Sequence, residues 1–426
     1  MRVVVGVVAL LTVVAAPARA FAQNLLIWED QVDFAGSIDL GRDVTVAGRT
    51  MIMAGVAADP AGGADIVVRA HDVRSGAVLW TDHTPEQSGQ LAGVFVTSAG
   101  DMAFAAGYMT SAQCSFCTDI FVRAYDATTG LTLWQDSFDR GRDDFPRGIA
   151  ASSRVVVVIT VLDSIVRAYD PTTGAFLWED RVVIDAAARA NAVAIDGDRV
   201  FVAVETLSVP GLILRAYDAA TGELVWELRR PTAVAAALSV DAGLVFVAGV
   251  ADPFLPSAFL GAFDATDGHL RWEDTSDLVG NFSDVKTRRR QLVAVGHTGT
   301  GALVRVYDAA TGVVRWEDVR PLAPGLVEIY GSVDVSNKAI YVAGTAGESF
   351  GNRDFLVRAF DLRNGALLLD DRSHSSGRFG SFAAAIAVDQ NRVFAVGSTF
   401  SETSSEDFLT RAYNVKDIEA PGRRSE

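Results

Sequence analysis

Apolar and polar positions alternate in short runs along most of this chain. In "IFVRAYD" (Ile120 to Asp126) and "LTLWQD" (Leu131 to Asp136), β-branched and aromatic residues alternate with polar ones. A period of two marks a strand with one buried face. The interval between them holds an aspartate and a Thr-Gly pair. The aspartate can bond backbone two residues on, and glycine takes a positive φ, so this interval predicts a turn. Upstream of each such hairpin lie two more apolar stretches split by a polar turn. "AVAIDGDRVFVAV" (Ala192 to Val204) and "ALSVDAGLVFVAG" (Ala237 to Gly249) are the clearest. Each unit predicts a four-stranded antiparallel sheet, and no helical period competes with it.

The unit repeats. All seven tryptophans occupy one position of it: Trp28, Trp80, Trp134, Trp178, Trp226, Trp272 and Trp316, with Leu369 in an eighth copy. The copies lie about 49 residues apart, within the range of propeller blades. After the first, each closes an eleven-residue pattern, Ala-x-Asp-x-x-Thr-Gly-x-x-x-Trp. Ala124, Asp126, Thr129, Gly130 and Trp134 match it fully, as do the copies ending at Trp178 and Trp226. Other copies drift: Ser75 and Asp267 replace the threonine, Val306 replaces the alanine, and Asn364 with Leu369 marks the most divergent.

The ends are cut inside a unit. "NLLIWED" (Asn24 to Asp30) is a fourth strand without its first three, and "DFLTRAYNV" (Asp407 to Val415) is a third strand without its fourth. A split unit makes sense if the first strand completes the last sheet and closes a ring, which removes a frayed edge. The expected fold is all-β, an eight-bladed β-propeller over residues 23–416, with residues 417–426 as a C-terminal tail.

The repeated pattern resembles the tryptophan-docking motif of the pyrroloquinoline-quinone (PQQ) repeat family of β-propellers, from Asn24 to about Val415. The resemblance implies that each tryptophan packs between neighbouring blades, against the glycine peptide and the small alanine. That family includes quinoprotein dehydrogenases and cofactor-free scaffolds, and the motif does not separate them.

Two charged positions recur beside it. Arginine precedes the motif alanine at Arg69, Arg123, Arg167, Arg215, Arg305, Arg358 and Arg411, and only Gly261 breaks the series. Aspartate falls two after the tryptophan position at Asp30, Asp82, Asp136, Asp180, Asp274, Asp318 and Asp371, and only Leu228 breaks that series. The two breaks fall in consecutive blades. They coincide in one missing pair if each aspartate meets the arginine of the following blade. The expected girdle therefore joins Asp30 to Arg69, Asp82 to Arg123, and so on through Asp318 to Arg358 and Asp371 to Arg411.

Residues 1–22 carry an early arginine, an apolar run from Val3 to Ala16 and small residues at two cleavage frames, as a secretory signal peptide does. Fourteen apolar residues are too few for a membrane span, and no later segment offers more. The expected location is the periplasm or the exterior. Two cysteines, Cys114 and Cys117, predict a local disulfide in an exported chain. The formal charge of −16 argues against nucleic acid, whose grip needs clustered basic residues.

No catalytic set emerges. His71, His83, His269, His297 and His374 stand apart in sequence, and none has a partner at metal-ligand spacing. A quinone would need calcium held by carboxylates and an amide. The family's dehydrogenases also carry adjacent cysteines over the cofactor, whereas Cys114 and Cys117 are separated. The expectation is a non-catalytic binding or scaffold module without cofactor, its partner a protein or small ligand. The alternatives are a PQQ-dependent dehydrogenase with calcium, and a factor like the family's outer-membrane assembly scaffold. The long insertions at 109–118, 139–148, 320–331, 345–354, 371–381 and 400–407 share one face and would form the binding surface.

Overall fold

A computed structural model describes residues 25–34, 38–58, 64–86, 93–110, 118–138, 145–161, 164–182, 188–206, 211–252, 254, 257–299, 301–348, 352–374, 380–389, 391–400 and 406–419. The proposed signal peptide and the Cys114–Cys117 pair lie outside them.

Eight antiparallel blades are present. Blade 1 is built from residues 39–86, blade 2 from 95–138, blade 3 from 146–181, blade 4 from 188–231 and blade 7 from 326–373. Blade 8 takes three strands from residues 382–414 and its outer strand, Leu26–Val32, from the other end of the chain. Trp28 pairs there with Ala412 and Glu29 with Arg411. Blades 5 and 6 form one seven-stranded sheet, because the strand Leu270–Arg288 runs unbroken from the outer edge of one to the inner edge of the other. The four-strand expectation holds blade by blade, but here the turn between blades is replaced by extended chain.

The innermost strands contact each other around a closed ring, the first touching the last, and so define a central channel. Second and third strands are almost wholly apolar and buried, as in Val156–Thr160 and Ile165–Tyr169. Blade faces pack on one another through separate apolar clusters, each drawn mainly from two neighbouring blades. That nearest-neighbour core is what a repeat architecture requires.

Past the last strand the chain forms a short helix, Val415–Glu419, where a tail was expected from 417. Val415 and Ile418 are buried with Leu369 in one cluster. This explains the missing eighth tryptophan. Blade 8 ends in a helix and has no turn glycine for an indole to cover, so a leucine fills the smaller space.

Candidate functional site

The seams between blades absorb the repeated residues. Each indole lies on the turn glycine of the following blade: Trp28 on Gly76, Trp80 on Gly130, Trp134 on Gly174, Trp178 on Gly222, Trp226 on Gly268, Trp272 on Gly312 and Trp316 on Gly365. Six indole N–H groups donate to a backbone carbonyl three residues past the motif alanine or its equivalent, as Trp134 does to Pro171 at 2.8 Å and Trp178 to Ala219 at 2.9 Å. The turn itself is held by its aspartate: Asp170 Oδ1 accepts from the Thr173 amide and hydroxyl, each at 2.8 Å.

The charged positions meet across the same seams. Arg69 lies 3.2 Å from Asp30, Arg167 3.3 Å from Asp136, Arg215 2.7 Å from Asp180, Arg305 2.8 Å from Asp274 and Arg411 3.0 Å from Asp371. Arg123 bonds Asp82. One expected pair is absent. Asp318 is taken by Arg320 at 2.8 Å, and Arg358 turns instead to Glu328 and Asp370 of its own blade. Glu328 enters from the innermost strand, buried, and fills the place left for the aspartate.

Two further participants escaped the sequence. The arginines reach back to the residue after the tryptophan of their own blade, as Arg215 does to Glu227 and Arg411 to Glu29, both at 2.7 Å. The motif tyrosines then complete the seam: Tyr217 donates to Asp180 at 2.8 Å, and Tyr125, Tyr307 and Tyr413 to their aspartates at 2.7 Å. Burial, then the adjacent carboxylate, pushes the Tyr125 and Tyr307 phenols far above the ordinary range, so they remain donors. The tyrosine ring also stacks on the indole, with centroids 5.3 Å apart for Trp80 and Tyr125. His71 takes that place in blade 1, stacked on Trp28 and wholly buried, with Nδ1 3.0 Å from the Gly76 carbonyl. Burial depresses its pKa, against the opposing pull of the Gly76 carbonyl and Asp30.

The other histidines do not gather. His83, His269 and His374 each stand beside a different aspartate, Asp65, Asp267 and Asp354. His297 is half-buried with a depressed pKa from burial alone.

The channel presents a different set. Asp43, Asp284 and Asp334 project from innermost strands, each capping the backbone of the next blade: Val96 N–H at 2.9 Å, Val333 N–H at 2.9 Å and Val388 N–H at 2.7 Å. Burial raises all three pKa values, that of Asp43 to about 6. Lys286 stands exposed among them, and its charge is favoured first by Asp284. Among the described residues, no group of three or more His, Cys, Asp or Glu side chains is arranged to hold a metal ion. With the indoles engaged in seams and the channel carboxylates engaged by amides, this donor set does not fit a calcium-held quinone.

Of the insertion face, the described part shows strand where loop was expected: Leu326–Val335 and Ala339–Glu348 extend into it. Phe254, Val279 and Leu326 expose apolar surface there, in blades 5 to 7. Among the described residues, no helix is long and apolar enough to cross a membrane.

A closed eight-bladed wheel with indoles on turn glycines is a PQQ-type propeller. The family model described as outer membrane protein assembly factor BamB matches residues 118–273, 162–345 and 214–402, and the chain belongs to this PQQ-repeat family. No curated protein matches the sequence. Among solved structures, BamB from Moraxella catarrhalis is similar at 16% identity and TM-score 0.56, covering 91% of this chain and 99% of that one. A europium-containing methanol dehydrogenase is similar at 13% identity and TM-score 0.61, with 91% and 93% covered. The computationally designed Ika8 protein is similar at 14% identity and TM-score 0.59, with 91% and 100% covered. At these identities the likeness is one of fold.

Proposed function

We propose that the chain is an exported, non-catalytic scaffold that presents its insertion face to a protein partner. The observation that carries this reading is the commitment of the indoles. All seven tryptophans serve as wedges on turn glycines, so none is left as a floor for a flat cofactor. The family's BamB description and the BamB structure among its neighbours support a scaffold role. On that face Phe254, Val279 and Leu326 are exposed apolar side chains that a partner would cover. Residues 1–22 would direct export and be removed.

Two measurements test the reading. Calorimetry with PQQ and Ca²⁺ is expected to give no binding heat; a stoichiometric isotherm would establish the dehydrogenase reading instead. A photo-crosslinker at position 254 is expected to capture a specific partner in the exported fraction, and capture should be lost on placing aspartate at 279 and 326. Capture that is indifferent to those changes would remove this face from consideration.

A further inference from the structure

The chain is acidic overall, yet one run is strongly basic. "KTRRR", Lys286 to Arg290, holds its only three consecutive basic residues. The innermost segment of blade 6 ends at Arg288, and Arg289 and Arg290 make the two-residue turn to Gln291. This turn lies on the face opposite the insertions.

The turn is costly to make from arginine. Arg289 and Arg290 have φ of 50° and 65°, the only consecutive pair of non-glycine residues at positive φ among those described. The equivalent turns of blades 1, 2, 4 and 5 place Gly48, Gly100, Gly197 and Gly243 in that region. A side chain held in the left-handed region costs roughly 1–2 kcal/mol, and such outliers point toward a functional use of the residue.

The arginines are also unspent. On the same face Arg49 pairs with Asp72, Arg154 with Asp198, Arg199 with Asp218, Arg271 with Asp264 and Arg315 with Asp308. Arg289 and Arg290 are exposed and have no ion pair or side-chain hydrogen bond among the described residues, and Arg288 makes one hydrogen bond, to Asn337 at 3.2 Å. Beside Arg288 and Arg289 lies a shallow, solvent-open cleft of about 550 Å³ lined by Val240, Asp241, Thr287, Arg288, Arg289 and Asn337. It spans the turns of blades 5, 6 and 7. One level deeper stands Lys286, and then the carboxylates of Asp43, Asp284 and Asp334. A cationic mouth draws an anion to the rim.

We propose that this cleft docks an acidic peptide segment, with Arg288, Arg289 and Arg290 forking its carboxylates. Guanidinium matches carboxylate geometry in two parallel hydrogen bonds. Thr287 and Asn337 add neutral hydrogen-bonding groups for the peptide backbone. Three successive arginines suit carboxylates spaced along a chain better than one small anion, which would also meet Asp241. The site goes beyond the scaffold reading above and does not depend on it, since it occupies the other face.

The test is fluorescence anisotropy of the mature protein with labelled hexaglutamate, against labelled hexalysine. Hexaglutamate is expected to bind, with affinity falling as salt rises. Arg289→Asn with Arg290→Gly installs the residues a tight turn of this kind prefers. That variant is expected to melt at a higher temperature while binding hexaglutamate at least tenfold more weakly; Arg289→Lys with Arg290→Lys retains part of the binding. Equal binding by the Asn-Gly variant, or no preference over hexalysine, would overturn the proposal. Displacement of the peptide by micromolar inorganic phosphate would overturn it too, by making a small anion the occupant. Failure of the scaffold reading would appear in the crosslinking at position 254 and leave these results untouched.

Discussion

The indole of Trp134 lies on the peptide of Gly174 with no room for a methyl group between them. A Cβ placed on Gly174 would stand 2.6 Å from the ring carbon Cδ2. Gly174 also has φ of 71°, so two separate demands fall on one residue. Gly100 has a similar φ of 61° with nothing within 4 Å of an added Cβ. Gly100→Ala should therefore cost only the backbone term, about 1 kcal/mol. Gly174→Ala adds a rigid ring that cannot swing aside, and should cost roughly 2–4 kcal/mol in all. Urea midpoints of the two variants check this; equal midpoints would mean that the seam yields freely.

The departure at Arg358 gives a second comparison. Its side chain is fully buried and Glu328 is 2% exposed, whereas Arg123 and Asp82 are 12% and 29% exposed. Removing Arg358 leaves the buried Glu328 with only the half-exposed Arg372, at 3.1 Å, as a cationic partner. Arg358→Met should destabilise by about 3–5 kcal/mol. Arg123→Met leaves Asp82 with the Tyr125 hydroxyl and some solvent, and should cost roughly 1.5–3 kcal/mol. Denaturant unfolding of both variants reads the difference.

These two seams also show what the sequence could carry. Trp134 and Gly174, or Asp180 and Arg215, sit at positions of the repeated pattern that most copies keep, so the repeat alone identifies both partners. Glu328 lies outside the eleven-residue pattern, on an innermost strand whose sequence varies from blade to blade, and nothing local marks it. The same holds for the channel carboxylates. The through-strand Leu270–Arg288 was hidden because "TSDLVG" carries no proline or Asn-Gly signal to say which residues turn. The helix at Val415 was hidden by its length: five residues show too little period to outweigh the strand before it. The motif tyrosines were visible as a repeated aromatic position, but their hydroxyl partner belongs to the preceding blade.

Acid groups crowd the seam between blades 8 and 1. Asp39 is wholly buried and its pKa is pushed up to about 7, chiefly by burial; Glu406 is also raised to about 7 by burial. The Asp39 amide donates to the Glu406 carbonyl at 2.9 Å. Both groups bind their proton more tightly in the folded state than in the unfolded one. Stability from this source is therefore full below about pH 4 and is lost as pH rises to about 7, at up to about 1.4 kcal/mol per pH unit for each group. Asp39→Asn keeps an acceptor for the Phe34 amide and removes one titration. Its urea midpoint should fall less than that of the native chain between pH 5 and 8. A parallel fall in both proteins would show that Asp39 ionises without cost.

The closing strand carries the weakest of the wedges. Trp28 covers Gly76 as the other indoles cover theirs, but its buried Nε1 has no hydrogen-bond partner. Trp134 donates to the Pro171 carbonyl at 2.8 Å. Phenylalanine in place of tryptophan removes the donor and leaves most of the stacking. At 134 the change deletes a made hydrogen bond and leaves a carbonyl short of a partner, a loss of about 1–3 kcal/mol beyond packing. At 28 it deletes a donor that was buried at a cost, which offsets part of the lost packing. Trp28→Phe should therefore be the milder substitution, by at least about 1 kcal/mol, in denaturant unfolding of the mature chain. If instead Trp28→Phe is as damaging as Trp134→Phe, the closing indole must have an acceptor in solution, and the ring would be latched by the same bond as the six other indole seams.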